Sequence, residues 1–139
     1  MRYFLAFLAG FLSTLTFHQA FIALLHRAGQ WPRPAWPMDP VPPLQVPAVL
    51  SLAFWGGLWA LALAPVLARW GLGPSYWVAW FVAGAIFPTL VALFVVMPLK
   101  GKPPAGGWDP KVMLGAMMVN GVWGLGTALF LRLFRRFWS

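Results

Sequence analysis

The chain has no cysteine and only two acidic residues, Asp39 and Asp109, among 139. The missing thiols exclude disulfides, thiolate nucleophiles and cysteine-ligated metal centres. The scarcity of carboxylates excludes paired-acid catalysis, because general acid–base chemistry needs a titratable group held beside the substrate. Sequence patterns of a nucleophile elbow, a zinc-binding HExxH helix or a glycine-rich phosphate loop are missing as well. Ser13 has no base at a workable spacing. No catalytic residue, no bound metal and no enzymatic activity are therefore expected.

Charge is the other scarcity. Soluble domains carry about a quarter charged residues, whereas only 9% of this chain is charged and 61% is hydrophobic. Four uncharged runs stand out, at residues 3–25, 49–68, 76–99 and 112–131. A hydrocarbon core of about 30 Å needs about 20 helical residues, and each run is long enough. None alternates in period two, as a barrel strand would. The first run follows Arg2, but its apolar part is long and no small-x-small cleavage site follows, so it reads as a span and not as a signal peptide. The expected fold is all-α: a single four-helix transmembrane domain over residues 1–139, with a proline-rich loop at 26–47.

The net charge of +8 comes from ten lysines and arginines. They lie at the ends of the apolar runs, where basic side chains anchor beside anionic headgroups. Membrane lipids, and no nucleic acid, are the expected partners of that charge. Both termini and the turn at 71–75 share one side of such a membrane; the loops containing Asp39 and Asp109 share the other. Five basic residues fall on each side, so the positive-inside rule is nearly balanced. With the cluster Arg132, Arg135 and Arg136 on their side, the termini are expected in the cytoplasm, and the expected location is a bacterial inner membrane.

The chain also echoes itself. "GLWALALA" at 57–64 faces "GVWGLGTA" at 121–128, and "AGFLSTL" at 9–15 faces "AGAIFPTL" at 83–90. Two tandem helical hairpins are the expectation. Asp109, before Pro110 and an apolar run, has the chemistry of a helix N-cap. The loop at 26–47 holds half the prolines and cannot be helical. It is expected to lie extended on the bilayer surface with Trp31 and Trp36 at headgroup depth, or to dock a partner protein.

Residues 13–20, "STLTFHQA", put five polar side chains into an apolar run. Four-residue spacing aligns Ala6, Gly10, Thr14 and His18 on one face; Ala9, Ser13, Thr16, Ala20 and Ala23 form a second stripe. Helices in lipid associate through small residues and interhelical hydrogen bonds, which makes these stripes contact surfaces. Gly56, Ala60 and Ala64 form a matching face on the second run; Asn120, Gly124 and Ala128 form one on the fourth, and Gly121 leaves room for close approach beside it. Asn120, at mid-span, needs a partner, and His18 or Gln19 can supply one.

Imidazole ligates haem and chlorophyll-type pigments, but a clamping pair would need a second histidine at the depth of His18. His26 lies about 12 Å further along the same helix, so no cofactor is expected. Trp59 and Trp123 fall near mid-span and, with Trp31 and Trp36, are candidate contacts to a partner or to lipid. The functional expectation is a non-enzymatic accessory or assembly subunit of a larger membrane complex, of respiratory or photosynthetic type. Other membrane subunits or further copies of the chain would be its partners. The alternative is a small oligomeric channel or carrier using Thr14, His18 and Asn120.

Overall fold

A computed structural model describes residues 1–71 and 73–138. It is mostly helical, with four helices long and apolar enough to cross a membrane: α1 (Arg2–Arg27), α2 (Ala48–Trp70), α3 (Pro74–Leu99) and α4 (Pro110–Trp138). Each extends one of the apolar runs by a few residues. Their starts follow local chemistry. The Lys111 amide donates to Asp109 Oδ1 at 2.9 Å, so Asp109 caps α4 and Pro110 occupies its first position. Pro74 likewise takes the first position of α3, but the cap residue there is Gly73 and supplies no side-chain bond. At α2 the cap is main-chain: the Ala48 and Val49 amides donate to the carbonyls of Asp39 and Pro37.

The helices pack in the order α2–α1–α4–α3, with α1 and α4 in the middle and only slight contact between α2 and α3. α1 and α4 are accordingly the more buried pair. Close approach depends on glycine. A Cβ at Gly10 would run into the Gly56 carbonyl and sit 2.5 Å from Ala60 Cβ. In the other hairpin, a Cβ at Gly84 would stand 2.5 Å from the Asn120 carbonyl oxygen, and one at Gly124 would strike the Trp80 carbonyl. The phenyl rings of Phe7 and Phe81 lie over Gly57 and Gly121 respectively.

Two helices contain a π-helical segment, Thr14–His18 in α1 and Ala92–Val96 in α3. The first corrects the expected stripe. A π-turn inserts an extra residue per turn, so the face built by Ala6, Gly10 and Thr14 continues at Gln19 and not at His18. Gln19 is 1% exposed, whereas His18 is half-buried. Thr16 and Ala20 are rotated to the outside, and Thr16 Oγ1 bonds its own helix at the Leu12 carbonyl.

The proline-rich connection departs from the surface-lying path. With Gly10 facing Gly56 in antiparallel helices, the start of α2 comes level with His18, and α1 continues beyond that level for about 13 Å. The connection runs back down this step. Trp36 donates from its main-chain amide to Gln19 Oε1 (2.7 Å) and from Nε1 to the Leu15 carbonyl (2.8 Å). Trp36 therefore docks halfway along α1 instead of at the helix end. Trp31 rests its ring on Gly115 of α4, and its carbonyl accepts from His26 Nδ1 at 2.9 Å. A two-residue antiparallel ladder, β1 (Pro40–Val41) with β2 (Val46–Pro47), closes the segment. This is an exception to the all-α expectation, made possible because proline tolerates edge strands.

Candidate functional site: a polar belt across the bundle

Polar side chains inside the bundle meet in two layers. In the first, two main-chain carbonyls on facing helices each receive two donors. The Gly10 carbonyl of α1 accepts from Thr14 Oγ1 (2.9 Å) and from Trp123 Nε1 (3.1 Å). The Trp123 carbonyl of α4 accepts from Ser13 Oγ (2.7 Å) and from Thr127 Oγ1 (2.9 Å). Gly126 lets the two backbones come close enough for this exchange, since a Cβ there would collide with Ser13 Oγ. Trp123 also meets Trp80 edge-on, with centroids 6.5 Å apart.

The second layer lies about two turns towards the loop end. Asn120 Nδ2 donates to Thr89 Oγ1 at 2.9 Å, and the Thr89 hydroxyl reaches the Ala116 carbonyl at 3.4 Å. Asn120 also stands beside the His18 ring. Gln19 Nε2 donates to His18 Nδ1 at 3.0 Å while its Oε1 takes the Trp36 amide. The chain of contacts thus runs from the connection through α1 and α4 to α3. Its members share one level along the axis, so it crosses the bundle and does not run through it. Among the described residues, every buried side-chain nitrogen and oxygen has a hydrogen-bond partner.

Of the residues singled out in the sequence, Ser13, Thr14, His18, Gln19 and Asn120 are brought together in these layers. Gly10, Gly56, Ala60, Gly121, Gly124 and Ala128 sit at helix contacts. Trp123 is a correction. At 3% exposure it is a core side chain and offers no surface to a partner, because its indole is drawn inward by the Gly10 carbonyl. Trp59, which aligns with it in the two similar stretches of sequence, is half-buried against the core. Trp36 remains exposed on the flank of α1.

Sequence reasoning missed Thr89, Thr127 and Tyr76. Tyr76 Oη donates to the Ala128 carbonyl at 2.7 Å, fastening the start of α3 to α4. For Thr89 a signal existed: it aligns with Thr14 in the similar stretches of sequence, and the two hydroxyls face Gly56 and Asn120, which also align. Comparison of the chain with known protein families, curated proteins and solved structures finds no match.

Proposed function

We propose that this is a non-enzymatic, multi-pass inner-membrane protein that acts as an accessory or assembly subunit of a larger membrane complex. The observation that carries the reading is the transverse belt. Its polar groups are consumed in joining α1, α3, α4 and the proline-rich connection, so they serve as interhelical fasteners in the manner of polar residues in lipid. Membrane insertion is supported by the outer faces, where Phe54, Trp55, Val78, Phe87 and Leu90 are exposed; such a surface on a soluble chain would aggregate. With the interior committed to its own packing, the remaining capacity is that outer aromatic surface, which suits neighbouring helices. The two hairpins are read as a tandem repeat, supported by the equivalent contacts of Gly10 on Gly56 and Ala60 and of Gly84 on Asn120 and Gly124.

Purification from native membranes in mild detergent tests the reading. Stoichiometric co-isolation of other membrane subunits is the expected result. A chain that travels alone and conducts ions in liposomes would overturn it in favour of a conduit.

A further inference from the structure

At the end of the bundle where the chain termini lie, all four helices line one cavity of about 460 Å³. That volume falls within the range of small-molecule sites, about 300–1,000 Å³. The cavity exists because α2 and α3 barely touch and because Ala6 of α1 and Ala64 and Ala68 of α2 present small side chains to it. Trp80 and Leu131 complete apolar walls, and Arg2 and Arg135 contribute to the same lining. Tyr76 also borders it, but its hydroxyl is already committed to the Ala128 carbonyl. The only two acidic residues of the chain, Asp39 and Asp109, belong to the opposite end. The chain thus sets guanidinium groups at an apolar cavity and places no acidic side chain at that end.

We propose that this cavity binds one anionic phospholipid from the surrounding bilayer, with an acyl chain between the four helices and the phosphate held by Arg2 and Arg135. The proposal rests on the membrane reading above. Guanidinium suits a phosphate because its planar fork donates two parallel hydrogen bonds to paired oxygens. Helix ends are also where basic side chains meet the headgroup layer, which sets chain and headgroup at matching depths.

The test is lipid analysis of the full chain purified from membranes in mild detergent, followed by thermal melts of delipidated protein with added lipid. One phosphatidylglycerol or similarly charged lipid per chain should survive purification, and phosphatidylglycerol should raise Tm where phosphatidylcholine does not. Arg2→Gln with Arg135→Gln should weaken retention about thirtyfold, about fivefold per arginine. Arg69→Gln, at the same end but outside the cavity lining, should leave it unchanged. Ala64→Trp, which fills the cavity and keeps both arginines, should abolish retention. Equal retention of phosphatidylcholine, an equal loss in Arg69→Gln, or stabilisation by oleate alone would overturn the site. A chain that needs detergent yet carries no anionic lipid removes the site and leaves the membrane reading standing. A chain recovered in the aqueous fraction removes both.

Discussion

The two hairpins solve the same packing problem with different chemistry. In α1–α2, Gly10 meets Gly56 and Ala60, and the facing hydroxyl of Thr14 turns back to its own helix at the Gly10 carbonyl. In α3–α4, Gly84 meets Asn120 and Gly124, and the equivalent hydroxyl, Thr89, accepts a hydrogen bond from Asn120 across the interface. One hairpin is held by backbone apposition, the other by apposition plus a side-chain bond. Where Gly56 leaves room, the partner helix comes as near as backbones allow. Where Asn120 fills that room, a polar contact is gained, and the same side chain reaches His18 of the neighbouring hairpin. Asparagine where the first hairpin has glycine thus makes the α3–α4 contact the junction of the bundle.

The sharpest way to break this comparison is at the glycines. Gly124→Leu should lower stability by about 3 kcal/mol or more, because the new side chain meets the Trp80 main chain and not a movable side chain. Leu125→Ala, one residue on and only half-buried, should cost about 1 kcal/mol. Thermal melts in detergent compare the two directly. Equal midpoints would mean that the α3–α4 contact is not the tight one. Gly10→Leu should behave like Gly124→Leu, since the same clash awaits it at Gly56 and Ala60.

Next in size is the asymmetry of the two mid-helix tryptophans. Trp123→Phe keeps an aromatic ring but strips the donor from the Gly10 carbonyl. Interhelical hydrogen bonds in membrane proteins are worth about 0.6 kcal/mol on average and up to about 1.7; this one, fully buried, should lie near the upper end. Trp59→Phe should cost about 0.5 kcal/mol or less. A larger loss at Trp59 than at Trp123 would reverse the assignment of inside and outside. Asn120→Ala removes the bond to Thr89 and should cost about 1 kcal/mol.

The four helices, the Asp109 cap and the small-residue faces of Gly10, Gly56 and Gly124 were legible in the sequence because each follows from composition or local chemistry. The order of the helices was not. The small and polar stripes mark α1 as an inside helix, but apolar sequence is nearly the same on all sides of α2 and α3, so it does not say which helix joins α1 in the middle. The π-turn at Thr14–His18 leaves no mark in residue type, and it alone moves Gln19 into the stripe assigned to His18. The docking of Trp36 depends on both of these: it needs Gln19 pointing at the connection and α2 starting late. Prolines announced an extended segment, but the place where it rests is set by the register of Gly10 on Gly56, more than forty residues apart in the chain.

The smallest expected effect concerns His18, and it decides between a fastener and a ligand. Gln19 orients the ring: its Oε1 accepts the Trp36 amide, so its Nε2 must face His18, and that donor requires His18 Nδ1 to be an acceptor. The ring proton then sits on Nε2. A glutamine at this position keeps one acceptor and adds donors of similar reach. His18→Gln should therefore cost no more than about 0.6 kcal/mol, keep the helical content, and leave the visible spectrum of the purified protein unchanged. His18→Leu should cost more, because Gln19 Nε2 would lose its acceptor inside the bundle. Loss of a Soret or near-infrared band in a folded His18→Gln variant would show that the imidazole holds a cofactor. Loss of ion flux with structure intact would show that the belt lies on a conduction path.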